Sequence, residues 1–429
     1  MRFYKNPASN QWTDICLRPQ INNAQLEVLV KKIFAQVKNK GDDALKDYTL
    51  QFDGLALTSL VVNTATIQRT AARISDKLKK SIDATYENIL SFHSAQQLDI
   101  KKESVETAPG VFCWREARPI ESVGLYIPGG SAPLVSTVLM LGVPAKLAGC
   151  KQIILCTPPG KDEMVNPALC YAAQKVGVTY LVSVGGIQAI AAMALGTRSV
   201  SKVDKIFGPG NQYVTAAKQY ASRNVAIDMP AGPSELLVIA DKTANPAFVA
   251  SDLLSQAEHG PDSQVVLVSN SQRLISSVQN QLDEQLASLP RKKIAESALM
   301  NSFAVELSTI EQCVEFANIY APEHLILNIE APEGFTDKVI NAGSVFLGSY
   351  SPESAGDYAS GTNHTLPTNG WSRSYGGVSL DSFVKKMTFQ SLTQDGLTSL
   401  SDVIETLARA EGLEAHARSV SIRRSDSSL

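Results

Sequence analysis

The 429-residue sequence has no G-x-G-x-x-G, no C-x-x-C pair, no lysine and arginine block, and no apolar stretch long enough to cross a bilayer. The first absence removes the usual dinucleotide fingerprint, so binding of a nicotinamide cofactor has to be argued from other glycine turns. Six scattered cysteines, mostly in apolar settings such as LAGCKQIILC, imply no thiolate zinc site and read as reduced, buried thiols, with a catalytic cysteine the minority reading. A formal net charge of -3 gives no long-range attraction for nucleic acid or an anionic membrane, leaving small molecules as the expected partners. The N-terminus, MRFYKNPASNQWTD, lacks the apolar core of a signal peptide, which points to a cytoplasmic protein.

What is present is an ordinary globular composition, 44% hydrophobic and 19% charged. Because single domains usually run to roughly 100–200 residues, a chain of this length should fold as at least two packed units. Residues 1–22 are polar and aperiodic and read as an arm. Leu26, Leu29, Val30, Ile33, Phe34 and Val37 then recur at helical spacing up to Gly41, and 66–97 is a second amphipathic stretch. From Ser122 the apolar runs SVGLYIP, QIILCTP, YLVSVGG, KIFGP and VAIDMPAG alternate with helical segments ending near Gly149, Gly177, Gly196 and Ser222. A second series runs ELLVIAD, a helix ending at His259, QVVLVSN, another helix and GSVFLG. Strands separated by helices of this length are βαβ units on parallel sheets, so two α/β domains are expected. The last fifty residues show one helical pattern, SDVIETLARAEGLEAHARS, and no strand run, as for an appended arm that docks on something. There is no internal repeat and no low-complexity segment.

Of five histidines, four lie between His259 and His416 in polar, glycine-rich or acidic settings. His93, inside ILSFHSAQQ, reads instead as a surface or core-edge residue. In DLLSQAEHGPDS, Gln256 and His259 are three apart and share one face of a helix end, where they form either a ligand pair or a polar C-cap. In YAPEHL, Glu323 and His324 sit at a loop-to-strand junction; such a pair suits alcohol deprotonation and water activation, although alone it is also what an exposed surface dipeptide looks like. SPESAGDYASGTNH surrounds Asp357 with small residues, as in a tight loop near a ligand or a plain glycine turn. EGLEAH places Glu411 and His416 five apart, on one face only if the helix breaks near Gly412. Two imidazoles, an aspartate and a neutral amide make a nitrogen/oxygen set suited to Zn²⁺ or a neighbouring divalent ion. GLYIPGGSAP, GGIQAI and FGPGNQYVTAAK each lead from a strand into a helix, where parallel α/β sheets bind ligands, although spacing alone is equally what plain turn chemistry gives.

In order, GLYIPGGSAP, GGIQAI, KIFGPGN, DMPAGPSE, LLSQAEHGPDS, YAPEHL, AGSVFLG, SPESAGDYASGTNHTLPT and EGLEAHARS resemble histidinol dehydrogenase over nearly the whole chain. The series is far more specific than any one motif and departs from the family at no functional position; residues before 22 and the last ten carry no motif. The resemblance implies two Rossmann-like domains with parallel-rich sheets plus N-terminal and C-terminal arms in an intertwined homodimer. The implied division is 1–22 as an arm, 23–125 with 235–377 as a discontinuous first domain, 126–234 as a second domain on the cofactor side, and 378–429 as a dimerisation arm.

It further implies one Zn²⁺ per subunit on Gln256, His259, Asp357 and His416, with substrate meeting those ligands and Ser234, His324 and Glu411. Glu323 and His324 are the implied acid-base pair, and Tyr126, Gln188 and Asn211 the implied contacts to NAD⁺. The family oxidises L-histidinol to L-histidine through the aldehyde, consuming two NAD⁺. The C-terminal arm crosses to the partner, so that Glu411 and His416 complete the neighbour's site. His364 is left outside this set. A metal-dependent hydrolase has the same zinc, glutamate and histidine but no use for three glycine turns. A non-catalytic binding protein would not converge so many polar residues, and relatives oxidising other amino- or sulfo-alcohols are the nearer rival.

Overall fold

The computed structural model describes residues 1–18, 23–97, 103–129, 134–160 and 163–425. The end of the expected N-terminal arm and the last four residues of GLYIPGGSAP lie outside the described residues. The chain forms two compact units, Met1–Ser94 with Ile120–Phe383, and Ala95–Pro119 with Val384–Leu429.

The larger unit contains two six-stranded sheets. In one, the order is Arg2–Lys5, Phe303–Glu306, Gln264–Ser269, Glu235–Ala240, His324–Asn328 and Ser344–Leu347, all parallel. In the other it is Val61–Val62, Tyr180–Ser183, Gln152–Thr157, Ser122–Tyr126, Lys205–Phe207 and Ala226–Ile227, parallel except for the first pairing. The five C-terminal strands of the first sheet and the five parallel strands of the second follow one pattern: the earliest strand is central, the next two extend to one side and the last two to the other. Each sheet therefore has a switch point where the direction of winding reverses. Strands such as Glu235–Ala240 and Gln264–Ser269 are buried throughout, which is why they read as continuous apolar runs rather than alternating ones.

The expected α/β class and parallel sheets stand, but the division of the chain differs in three places. Leu26, Val30, Ile33, Phe34 and Val37 pack with Tyr126, Ile154, Val182 and the helix Gly186–Leu195. Residues 23–94 thus cover the sheet built from 122–227, not the one built from 235–347, because that is where their apolar stripe finds a complementary face. The N-terminal segment is no free arm: Arg2–Lys5 adds an edge strand beside Phe303–Glu306, and Trp12 and Cys16 are buried with Leu237, Phe316 and Tyr320.

The third difference is the smaller unit. It holds a three-stranded antiparallel sheet, Val384–Leu392, Val111–Pro119 and Ser104–Ala108, followed by helices Gln394–Ala410 and Glu414–Ser425. The strand VKKMTFQSL is mostly polar and exposed, so it gives no apolar run for a sequence reading to find. Residues 95–119, expected in the first domain, pair with it instead. The helix break expected in EGLEAH is present, at Gly412 with φ +74°. All six cysteines are free, four of them buried, and no helix among the described residues is long and apolar enough to cross a membrane.

Candidate active site

At the amino end of the first sheet, Glu235 and His324 open the adjacent strands Glu235–Ala240 and His324–Asn328, with Leu236 in register with His324. The backbone of Glu235 holds both members of the Glu-His pair. Its N–H donates to Glu323 Oε2 at 2.8 Å, and its carbonyl oxygen lies 3.2 Å from His324 Nδ1. Ser344 N–H donates to the Glu323 carbonyl at 2.9 Å, fixing that residue from the other side. The side chain of Glu235 is anchored in turn by Arg18, whose Nε and one terminal nitrogen each reach a carboxylate oxygen at 2.9 Å, and by Asn369 N–H at 2.9 Å.

Gln256 and His259 reach this point from the C-terminal end of the helix Pro246–Ala257, which runs back to the amino edge of the sheet. Gln256 lies in the last turn of that helix, whereas His259, expected on it, stands in the turn just past its C-cap Glu258, with its N–H donating to the Gln256 carbonyl at 3.2 Å. Gln256 is fully buried, with one end of its side-chain amide 3.4 Å from both Glu323 Oε2 and His324 Nδ1. Asp357 is expected on a tight loop but lies on a short helix, Glu353–Tyr358, whose end is pinned by Thr85 donating to the Tyr358 carbonyl and Asn88 to the Ala359 carbonyl, each at 2.7 Å. Small residues here let a helical turn pack closely rather than a loop bend. Asp357 Oδ1 stands 3.9 Å from His324 Nε2 and 3.5 Å from His364 Nδ1. His364 also meets Thr137 Oγ1 at 3.1 Å, tying the acid cluster to the helix Val135–Ala148 of the second sheet.

Glu353, one helical turn before Asp357, was not singled out from sequence. The side-chain ligand atoms of His259, Glu353 and Asp357 all lie within 4.8 Å of one another. An acidic pair four apart in SPESAGD was the available signal, since that spacing puts both carboxylates on one helical face.

These donors fit a divalent cation. Three carboxylates, Glu323, Glu353 and Asp357, gather around the buried His324 and the solvent-reached His259, and His324 Nε2 is a buried nitrogen with no hydrogen-bond partner. The Gln256 amide is satisfied with its NH₂ donating to Glu353 at 2.9 Å and its oxygen accepting from Glu235 N–H at 3.3 Å. The electrostatics agree. Burial opposes protonation of His324, but Glu323, Glu353 and Asp357 outweigh it and lift its pKa to about 10. Burial pushes the Glu353 carboxyl upward and the His259 imidazole downward. Asp357, despite burial, is held low by His364, His324 and His259. An excess of buried negative charge beside neutral-capable nitrogens is the environment of a cation site.

Ser234 precedes the strand Glu235–Ala240, half-buried, with its carbonyl accepting from Gln264 N–H at 3.1 Å. Glu411 and His416 belong to the smaller unit, exposed at the junction of its two helices. His93, expected at a surface or core edge, is wholly buried and lies 3.4 Å from the Asn363 amide.

The three residues expected to meet a dinucleotide lie at the opposite, carboxyl edge of the second sheet. Tyr126 closes the strand Ser122–Tyr126, Gln188 stands in the first turn of the helix after Tyr180–Ser183, and Asn211 caps the helix after Lys205–Phe207. Tyr126 Oη accepts from Gly186 N–H at 3.0 Å, and burial pushes its phenol up to about 12, so it remains a donor. Gln188 Oε1 is buried without a partner. An orphaned acceptor beside a switch point fits a ligand with a donor amide to offer, such as a nicotinamide.

The histidinol dehydrogenase family model matches residues 16–424. The chain is 53% identical over 424 residues to the histidinol dehydrogenase of Bacteroides thetaiotaomicron, covering 99% of both chains. It is 49% identical over 423 residues to the chloroplastic histidinol dehydrogenase of Arabidopsis thaliana, covering 98% of this chain and 90% of that one. The crystal structure of histidinol dehydrogenase from Elizabethkingia anophelis superposes with a TM-score of 0.96 at 55% identity, over 99% of this chain and 98% of that one.

Proposed function

The chain belongs to the histidinol dehydrogenase family of oxidoreductases, and from that premise we propose a zinc-dependent, NAD⁺-linked, two-step oxidation of L-histidinol to L-histidine. The observation that carries this reading is the Glu323–His324 pair held by the Glu235 backbone against the cluster of His259, Glu353 and Asp357. Zn²⁺ would be held by Gln256, His259 and Asp357, with His416 as a fourth ligand from the arm of a second copy of the chain, and Glu411 and Ser234 would meet the substrate. When bound, the metal supplies Lewis-acid polarisation and an anchor for the substrate's nitrogens, and the nicotinamide accepts the hydride.

The chain's own groups handle protons and water. With a cation bound to offset the carboxylates that otherwise keep its imidazole protonated, His324 would take the hydroxyl proton as hydride leaves the carbinol carbon, giving the aldehyde and one NADH. Glu323 then takes a proton from water as its oxygen bonds the aldehyde carbon; loss of a second hydride from that hydrate gives the acid and a second NADH. The backbone grip on Glu323 and His324 keeps both within reach of one carbon for the two steps, which is the entropic advantage of a preorganised site. Tyr126, Gln188 and Asn211 would present the cofactor. The reaction is placed in the cytoplasm, in keeping with six free thiols.

NADH absorbance with L-histidinol, with and without a chelator, tests this reading. Two NADH per histidinol are expected, lost on chelation and restored by Zn²⁺. Turnover of the substrate without NADH would sink it in favour of hydrolysis.

A further inference from the structure

The turn between the strand Lys205–Phe207 and the helix Gln212–Ala221 begins at Gly208, with φ +128°. A Cβ there would lie 2.1 Å from the Tyr126 carbonyl oxygen, so the turn passes as close to the neighbouring strand as a backbone can. A turn of Gly, Pro, Gly and Asn offers few side chains to pack and hold its shape. Here two buried charges do so. Gly208 N–H donates to Asp228 Oδ2 at 2.8 Å, and the Gly208 carbonyl accepts from Lys218 Nζ at 2.8 Å. Lys218 Nζ and Asp228 Oδ1 are 2.5 Å apart, and their side chains are only 4% and 1% exposed. Met229 N–H donates to Asp228 Oδ1 at 2.7 Å, fixing the carboxylate. The result is a closed ring, N–H to carboxylate to ammonium to carbonyl, around the single residue Gly208.

A buried ion pair is weak support for stability, since desolvating two charges offsets most of their attraction and an apolar pair of similar volume is often as good. What such a pair does well is specify a single geometry. The geometry specified is that of residues 208–211, ending in Asn211, whose side chain accepts from Tyr213 and Val214 N–H at 3.1 and 3.2 Å. Gly208 abuts Tyr126, and Tyr126 is bonded to Gly186 in the turn before Gln188. One chain of contacts thus links all three candidate cofactor residues.

We infer that Lys218 and Asp228 form a positioning pair that locks the Gly208 turn in the shape required by a nicotinamide dinucleotide at the carboxyl edge of this sheet. The inference rests on the NAD⁺-linked reading above. Neither residue touches the reacting atoms, so its removal should act on dinucleotide affinity and spare the histidinol site at the amino edge of the other sheet.

The test uses full-length protein carrying Lys218→Met together with Asp228→Asn, which leaves no charge buried alone, beside the single Lys218→Met and Gly208→Ala. NAD⁺ and NADH dissociation constants are read by fluorescence titration, L-histidinol binding by calorimetry on the zinc-loaded protein, and KM and kcat separately. The expected result is a KM and Kd for NAD⁺ raised about tenfold or more, with kcat at saturating NAD⁺ and histidinol affinity each within about twofold. Gly208→Ala should reproduce that split, because it displaces the turn directly. If the single variant does not fold, the charge-free double variant carries the test. Unchanged NAD⁺ affinity in the folded double variant overturns the pair's role, as does equal weakening of NAD⁺ and histidinol. A wild-type protein that binds no NAD⁺ overturns the cofactor reading and this inference with it.

Discussion

Two nitrogens of Arg18 grip Glu235, whose peptide holds Glu323 and His324, so a residue from the N-terminal segment sits two contacts from the proposed chemistry. Its guanidinium also lies 3.7 Å over the Tyr320 ring. Arg18→Met leaves Glu235 buried without a counter-charge, a loss of about 3–5 kcal/mol if the carboxylate stays ionised. A lower Tm and about tenfold or greater loss of kcat in both oxidations are expected, and Arg18→Lys should recover only part, since an ammonium cannot make the forked contact. Glu323→Gln separates the two steps. It keeps the hydrogen-bonding shape but cannot take a proton from water, so the first oxidation should persist and the aldehyde accumulate; acid production at the wild-type rate would count against the assignment. At this scale Gln256, His259, Glu323, His324 and Asp357 were legible only as candidates, since each also had an ordinary reading as a helix cap, a surface dipeptide or a glycine turn, and their roles came from the resemblance. Arg18 and Glu353 were not, because their significance is only in what they touch.

Among the elements, the two sheets share a strand order but are used at opposite ends. The candidate dinucleotide residues follow the general rule, lying where strands end and helices begin. The Glu-His pair breaks it, standing where Glu235–Ala240 and His324–Asn328 begin and a helix ends. A helix C-terminus favours positive charge, so this end suits a metal cation as the other suits a phosphate. The helix Asp42–Asp53 offers a separate test of element stability. Asp42 accepts from Ser199 N–H at 3.2 Å and Ser199 Oγ at 2.7 Å and faces Arg198 at 3.3 Å. Burial alone would raise its pKa, but the bonds from Ser199 and Thr197 and the Arg198 charge hold it below the ordinary 3.8. A depressed folded-state value means that its stabilisation is complete above the unfolded value and lost as pH falls through the folded one. Asp42→Asn should therefore lower Tm at neutral pH and flatten the decline of Tm below about pH 4; an unchanged acid limb would show that other carboxylates control it.

For the whole molecule, the smaller unit poses the question of what covers its helices. Val403 and Leu407, one turn apart on Gln394–Ala410, are 56% and 60% exposed. If that arm serves a second copy of the chain, Val403→Glu with Leu407→Glu should yield a monomer by light scattering that binds NAD⁺ but neither binds nor oxidises histidinol. A fully active monomer would refute a site completed by the partner. Domain boundaries were the least legible feature. A helical stripe such as Leu26–Val37 states that it needs an apolar face but not which of two similar sheets provides it, and the polar strand Val384–Leu392 has no periodic signature at all.

By itself the sequence determined the class of fold, because short β-branched apolar runs such as ELLVIA and QVVLVS, alternating with longer amphipathic helical segments, fit strands buried on both faces of a parallel sheet. It also determined the identities of the polar groups, since hydrogen-bonding and metal-binding capacity is a property of residue type. Which of those groups meet was decided by tertiary structure alone. Residues 235, 256 and 323 converge because two adjacent parallel strands begin at one edge and the helix that follows the first returns to it, while Arg18 and Glu353 are brought there by separate segments, a geometry set by packing and carried by no local pattern.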